Sequence, residues 1–195
     1  MTSLILASTS RYRRSLLERL NLPFRTMSPN VDERAFDHPP RELAKVLSRA
    51  KAEAAAQDVD EGLVIGSDQV ACLQGEILHK PGTEERAVAQ LMRLAGHEHE
   101  LITGVCIVNA RTGAYREHLD IHRLRLRALT ESEALEYVRR DQPLDCAGSY
   151  KIEGLGISLM DRIQGDDFTA ITGLPLMAVC RMLGELGLPI LGATS

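Results

Sequence analysis

The chain has few aromatic side chains and no tryptophan. Among its 195 residues, aromatic residues make up 4%, whereas hydrophobic residues of all kinds make up 44%. A core must therefore be built from Leu, Ile, Val and Ala, and a chain of this length buries enough surface to fold without disulfides. We expect one domain over residues 1–195, with two lobes.

The four cysteines form no CxxC pair. They are Cys72, Cys106, Cys146 and Cys180, and their wide spacing argues against a zinc ribbon or a dithiol redox site. Each lies in or beside apolar sequence, so we expect buried, reduced thiols.

Long apolar runs and an excess of basic charge are also missing. No apolar run approaches the roughly 18 residues of a membrane span, and we expect no signal peptide at the start. The net charge of −4 is unlike that of a general nucleic-acid coat protein. We therefore expect a cytoplasmic protein that binds neither membranes nor nucleic acid. A small anionic ligand stays compatible with this charge, because it needs only a local basic pocket.

Short apolar strands alternate with amphipathic helices along the chain. The pattern predicts an α/β fold with a mixed twisted sheet and flanking helices. In the last long strand the apolar phase shifts from Leu119 and Ile121 to Leu124 and Leu126, which predicts a bulge near residues 122 and 123. Strands are predicted at 4–7, 63–65, 98–108 and 114–126, with a hairpin of 70–73 and 76–78. Helices are predicted at 11–20, from 40, between 83 and 96, between 130 and 140, and from 175.

A hydroxyl-rich loop, Ser8-Thr9-Ser10, lies between the first strand and the first helix. Backbone N–H groups and the dipole at a helix N-terminus favour an anion. Ser8 and Ser10 add donors, and Arg13 offers a two-pronged guanidinium for phosphate oxygens. A capped surface helix with solvated arginines is equally compatible with these residues.

Two carboxylates are candidates for a metal site. The first is in Val31-Asp32-Glu33, which follows Pro29-Asn30 in a polar loop; a carboxylate there can bind a metal, because hard cations such as Mg²⁺ prefer oxygen ligands. Asp68 directly follows the predicted strand 63–65, where it can hold Mg²⁺ or take a proton from water. The structural alternatives are an acidic surface loop for Glu33 and a turn residue for Asp68.

Two further charged positions lie in turns. Lys80, in His79-Lys80-Pro81, can point at a phosphate or at Asp68, although an exposed lysine is the simpler interpretation. Glu153 lies in the Gly-rich stretch 147–156, and its carboxylate can accept hydrogen bonds from purine N–H groups. A purely structural turn is the alternative there.

Histidines offer a competing metal site. His118, Asp120 and His122 alternate along one strand, so their side chains share a face and can meet a zinc ion. Strand faces exposed to water also carry such residues, and the sequence places no further ligand. A zinc hydrolase is therefore kept as an alternative.

Taken together, these segments resemble the Maf family of nucleotide pyrophosphatases over nearly the whole chain. The resemblance implies hydrolysis of a nucleoside triphosphate to a monophosphate and pyrophosphate. It also implies the two-lobed α/β fold of inosine triphosphate pyrophosphatases, with a cleft between the lobes, and homodimers are common in such families. The segments that carry it are LILASTSRYRRSLLERL, SPNVDE, AKAEA, VIGSDQV, HKPGT, DCAGSYKIEGLG and ITGLPL.

Three positions resemble the subgroup that acts on 7-methyl-GTP. They are the aromatic Tyr12, Gln69 and Glu153, where the dTTP and UTP subgroup typically has Arg, Thr and Gln. The chain departs from the family pattern at two places. Arg11 stands where the family usually has Pro, and Tyr12 stands where the subgroup typically has Trp.

The resemblance implies a mechanism for these residues. A divalent ion, expected to be Mg²⁺, bridges the phosphates to Glu33 and Asp68, and Asp68 is the base that readies water for attack on the α-phosphorus. Tyr12 stacks on the base. The triphosphate tail is expected near Ser8, Ser10, Arg13, Lys51 and Lys80. The alternatives are a non-catalytic nucleotide-binding regulator of cell division and a pyrophosphatase for dTTP or UTP.

Overall fold

The computed structural model describes residues 3–192, which form seven strands, five α-helices and three short 3₁₀ helices. The strands are β1 (Leu4–Ala7), β2 (Arg25–Met27), β3 (Leu63–Leu73), β4 (Glu76–Leu78), β5 (Glu98–Asn109), β6 (Tyr115–Leu126) and β7 (Met160–Gln164). The α-helices are α1 (Arg11–Glu18), α2 (Pro40–Ala56), α3 (Glu84–Leu94), α4 (Glu131–Asp141) and α5 (Leu176–Glu185). Short 3₁₀ helices span Glu33–Ala35, Leu155–Leu159 and Phe168–Thr172.

The sheet is mixed, as the sequence predicts. Its strand order is β2-β1-β3-β5-β6-β7, with β4 paired to β3 outside this path. Strand β1 runs parallel to β2 and β3, whereas β3–β4 and β6–β7 are antiparallel pairs. The predicted α/β fold class with a mixed sheet is therefore confirmed.

The described residues divide into two compact units. The first comprises residues 3–68, 103–120 and 167–192, and the second comprises Gln69–Ile102 and Ile121–Asp166. No helix in residues 3–192 combines the length and apolar character needed to cross a membrane. The single domain and the cleft that the sequence implies stay predictions.

Each unit has its own apolar core, built mostly from aliphatic side chains as the scarcity of aromatics predicts. In the first unit β1, α1, β3 and α5 contribute most of these residues, which include Leu6, Leu16, Leu17, Ile65, Val179 and Leu183. In the second unit α3 packs on α4. Its buried apolar residues include Leu91, Leu94, Leu124, Leu126, Ala134 and Val138.

Local signals placed several helix and turn boundaries correctly. Ser10 caps α1 by accepting a hydrogen bond from the Arg13 backbone N–H. Thr130 and Glu133 have the S/T-x-x-E spacing of a capping box in the sequence, and they form one at the start of α4, because each side chain reaches the other's backbone N–H. The predicted hairpin across Gln74 and Gly75 is present between β3 and β4.

Two strand predictions need correction. Strand β3 does not stop at Ile65 but continues to Leu73, so Asp68 lies within a strand rather than after one. The buried residues of β6 are the even-numbered Asp120, His122, Leu124 and Leu126. The apolar pattern indicated burial at Leu119 and Ile121, but the polar Asp120 and His122 are buried there instead. The sequence predicts a bulge near residues 122 and 123. In the pairing of β6 with β7, the register instead shifts between Arg125 and Leu126.

Helix α2 lies unusually close to two strands of the first unit. A Cβ atom at Gly66 of β3 would overlap the carbonyl oxygen of Ser48 and lie 2.5 Å from the backbone nitrogen of Ala52. A Cβ atom at Gly104 of β5 would overlap the backbone of Ala44. Glycine at both positions lets the helix backbone approach the sheet, and this approach brings Lys51 of α2 to β3.

We predict that Gly66→Ala lowers the free energy of unfolding by about 1–3 kcal/mol, because the added methyl group overpacks rigid backbone. Urea unfolding followed by far-UV circular dichroism measures the change. The matched control is Gly184→Ala in α5, where the added Cβ meets no atom within 4 Å. It is expected to raise stability by about 0.5–1 kcal/mol through helix propensity. Equal effects of the two substitutions would contradict the close approach of α2.

Candidate active site

A buried lysine joins two carboxylates in the first unit. The Nζ atom of Lys51 lies 2.6 Å from Asp68 Oδ1 and 2.6 Å from Glu33 Oε1. The side chains of Lys51 and Asp68 are 8% and 11% exposed, whereas that of Glu33 is 57% exposed. Three residues from separate segments thus form one ionic cluster, which we call the Lys51 cluster.

The two carboxylates of the Lys51 cluster suit a hard divalent cation. Their oxygens converge on a point that already accommodates a positive charge, the Lys51 ammonium. Mg²⁺ is typically held by one or two carboxylates together with substrate phosphates and water. Glu33 and Asp68 fit this donor set, and Mg²⁺ at this position stays a prediction.

The loop between β1 and α1 is held by hydrogen bonds among its own residues. The Ser10 backbone N–H donates to Ser8 Oγ over 3.1 Å, and Ser10 Oγ accepts from the Arg13 N–H. The Arg13 Nη1 atom lies 3.5 Å from Ser8 Oγ. The structure therefore brings Ser8, Ser10 and Arg13 together at the start of α1, as the sequence predicts.

Arg13 is electrically coupled to the Lys51 cluster. Burial lowers the pKa of the Arg13 guanidinium below its usual value, and the charges of Asp68 and Glu33 act in the opposite direction. The guanidinium stays protonated at neutral pH, because the pKa of arginine is so high in water. Two cations and two carboxylates therefore share this region.

Sequence reasoning missed the residues that position Arg13. Its Nε atom donates to the Gly173 carbonyl over 2.9 Å. Ser67, which is fully buried, has its Oγ 2.8 Å from both that carbonyl and the carbonyl of Gly104. Gly173 adopts φ of +103°, a region that favours glycine. The only sequence signal for this glycine was its place in the segment ITGLPL, two residues before Pro175, which directly precedes α5.

Tyr12 lies in the first turn of α1, and Arg11 lies over one face of its ring. The guanidinium carbon of Arg11 lies 4.8 Å from the Tyr12 ring centroid, and Arg11 Nη2 donates to the Tyr12 hydroxyl over 2.7 Å. Arg11, where the family usually has proline, therefore contacts the aromatic residue that the resemblance links to base preference. Stacking of Tyr12 on a base stays a prediction.

Gln69 and Lys80 belong to the second unit. Gln69 follows Asp68 on β3 and is partly buried; successive strand residues point to opposite faces. The Lys80 side chain is exposed on a turn. This turn is held by Gln90, whose Nε2 donates to the His79 carbonyl, and by the Gly82 N–H, which donates to the Leu144 carbonyl.

Glu153, also in the second unit, is exposed on a braced loop. The Lys151 ammonium donates to the carbonyls of Asp141 and Gln142 at the end of α4, over 2.6 and 2.9 Å. The Lys151 N–H donates to the Tyr137 hydroxyl over 2.9 Å. These bonds fix the backbone two residues before Glu153.

The zinc alternative finds no support in residues 3–192. Within that part of the chain, no group of three or more His, Cys, Asp or Glu side chains is arranged to hold a metal ion. His122 is buried, and its ring lies directly against Gly165. The His122 ring is thus used for packing.

Comparisons with known proteins give a family match and several similar proteins. The family profile described as Maf-like protein matches residues 3–186. Three similar proteins are each named 7-methyl-GTP pyrophosphatase. The protein from Aromatoleum aromaticum is 50% identical over 188 residues, covering 96% of this chain and 97% of that one. That from Pseudoalteromonas translucida is 44% identical, covering 98% and 96%, and that from Burkholderia pseudomallei is 48% identical, covering 97% and 90%.

Among solved structures, the Ham1 protein of Staphylococcus aureus aligns with a TM-score of 0.47 and 14% identity. The alignment covers 64% of this chain and 72% of that one. This likeness is too distant to support an argument about fold or function.

We predict that Lys51→Met lowers the free energy of unfolding by about 3 kcal/mol, because it leaves a buried carboxylate without its cation. Thermal and urea unfolding measure the loss. Lys45→Met is the matched control on the same helix: its ammonium lies 3.6 Å from Glu117, and both side chains are more than a third exposed. The control is expected to cost less than about 1 kcal/mol. If both variants are equally stable, the Lys51 cluster does not contribute to folding.

Proposed function

This chain belongs to the Maf family, and from that membership and the geometry of its first unit we propose that it hydrolyses nucleoside triphosphates, 7-methyl-GTP foremost, to monophosphate and pyrophosphate. The observation that carries the proposal is the Lys51 cluster beside Arg13 and the start of α1. It combines cations that can grip phosphates with carboxylates that can act on water.

The start of α1 is the proposed grip on the phosphates. The hydroxyl groups of Ser8 and Ser10 can donate to phosphate oxygens there, and the dipole of a helix N-terminus favours an anion. Arg13 adds a fixed positive charge, which its hydrogen bond to the Gly173 carbonyl holds in place. Such preorganised donors stabilise charge that builds up on phosphate oxygens in the transition state.

Asp68 is the proposed base. One of its carboxylate oxygens contacts Lys51, which fixes the orientation of the group. Asp68 would receive the proton of the water that attacks the α-phosphorus, and pyrophosphate leaves with its electron pair. Mg²⁺ held by Glu33 and Asp68 would neutralise phosphate charge. Lys51 and Lys80 are proposed to contact the phosphate tail.

The choice of 7-methyl-GTP follows from the names of the similar proteins and from three residues. Tyr12, Gln69 and Glu153 are proposed to select the base. An N7-methylated guanine carries a positive charge, which suits both a π face and the Glu153 carboxylate. We also propose a cytoplasmic location and a homodimer.

We predict that purified protein with Mg²⁺ releases monophosphate and pyrophosphate from 7-methyl-GTP, and that Asp68→Asn lowers kcat by about 100- to 10,000-fold because it removes the base. Chromatography of both products and circular dichroism of the variant provide the measurements. Asp161→Asn, at an exposed carboxylate, is the control and should match wild type. Nucleotide binding by wild type without product formation would instead support a non-catalytic regulator. Wild-type rates in Asp68→Asn would remove Asp68 from the mechanism.

We predict that Glu153→Gln lowers kcat/KM for 7-methyl-GTP by roughly tenfold relative to GTP, UTP and dTTP, because a charge-assisted hydrogen bond becomes a neutral one. A panel of these triphosphates under identical conditions gives the ranking. Glu136→Gln, at an exposed carboxylate on α4, should leave the ranking intact. An unaltered ranking in Glu153→Gln would mean that this residue does not read the base, and dTTP or UTP as the best wild-type substrate would overturn the choice of 7-methyl-GTP.

A further inference from the structure

An exposed aromatic ring stands at the start of the 3₁₀ helix Phe168–Thr172. Phe168 is 71% exposed, although aromatic residues make up only 4% of the chain. Scattered apolar residues on a surface need no explanation by themselves. The backbone that carries this ring, however, is held by side-chain hydrogen bonds.

Hydrogen bonds hold the segment around Phe168 on both sides. Asp167 Oδ1 accepts from the backbone N–H and the hydroxyl of Thr169, and Asp167 Oδ2 accepts from the Met177 N–H over 2.7 Å. Thr103 of β5 donates its hydroxyl to the Ala170 carbonyl over 2.9 Å. The exposed ring therefore projects from a fixed backbone, and a preorganised contact costs little entropy when a ligand binds.

The same segment ends in the candidate active site. It is capped by Gly173, whose carbonyl accepts from Arg13 and Ser67. A 3₁₀ helix rises about 2 Å per residue, so Phe168 lies about 10 Å along the segment from Gly173. A nucleotide that places its phosphates at Arg13 extends over a comparable length to its base.

We propose that Phe168 is a further substrate-contacting residue that stacks on the base of a nucleoside triphosphate whose phosphates lie at Arg13. The inference rests on the proposed function. Stacking on an aromatic ring is available to every base, because each has a π face. A positively charged base, such as an N7-methylated purine, gains an additional attraction to the ring. Phe168 thus strengthens binding of all nucleotides and favours the cationic one.

A single fluorophore tests the contact directly. The chain has no tryptophan, so Phe168→Trp introduces one reporter at this position. We expect its fluorescence to be quenched saturably by the α,β-methylene analogue of GTP, which resists cleavage at the reacting bond, and far less by inorganic tripolyphosphate, which lacks a base. Leu191→Trp, at a position that is 88% exposed, should show no saturable quenching by either compound.

Kinetics on 7-methyl-GTP and GTP test the energetic role. Phe168→Ala is expected to raise KM by roughly tenfold, in line with the loss of one stacked base, with a smaller change in kcat. Phe168→Tyr keeps the ring and should retain the wild-type KM, whereas Phe168→Leu keeps apolar bulk without the ring and should resemble Phe168→Ala. All three variants should unfold at the wild-type temperature, because the ring is exposed.

An unchanged KM in Phe168→Ala, or equal quenching of Phe168→Trp by the nucleotide analogue and tripolyphosphate, would overturn the inference. Sedimentation covers the competing explanation. If Phe168→Ala converts a dimer to a monomer while KM stays constant, the ring belongs to an interface between copies, and stacking is wrong. If the wild-type protein cleaves no triphosphate, the proposed function itself is wrong. If the wild type cleaves normally and the Phe168 variants behave like it, only this inference is wrong.

Discussion

The ion pair between Lys51 and Asp68 is the interaction on which the first unit depends. Two largely buried charges are tolerated only when they are paired, so helix α2 must lie where its lysine reaches the middle of β3. That approach in turn requires glycine at position 66, since any side chain would overlap the helix backbone. The packing of α2 on β3 and the pairing of Asp68 therefore depend on the same constraint. If α2 moved away from β3, Asp68 would lose its cation.

Strand β3 serves two structures at once because its side chains alternate between faces. Gly66 and Asp68 meet α2. Ser67 instead meets the Gly173 carbonyl, which also receives Arg13. One short stretch of strand thus aligns the carboxylate cluster with the segment that positions the arginine, and the 3₁₀ helix ahead of Gly173 is tied to the same framework through Thr103.

Two of the residues proposed to select the base are held by local supports of different kinds. Glu153 sits on a loop that Lys151 and Tyr137 bind to the end of α4. Tyr12 instead lies on the first turn of α1, where Arg11 covers one face of its ring. A cation on that face competes with a positively charged base for the same π electrons. If Tyr12 stacks on the base as proposed, the departure from the usual proline at position 11 would affect selectivity rather than the reaction.

Interactions within a few residues could be predicted from the sequence, because caps and tight turns depend on neighbouring residues alone. The Ser10 cap, the box of Thr130 and Glu133, and the hairpin across Gln74 and Gly75 are of this kind. The charged residues of the candidate site could also be picked out from the sequence. The residues they pair with could not be predicted. Lys51 contacts Asp68, 17 residues away in sequence, and Ser67 contacts Gly173, 106 residues away. Strand continuation through Asp68, the burial of Asp120 and His122, and the role of Gly173 were likewise settled by packing between distant segments, which no local pattern encodes.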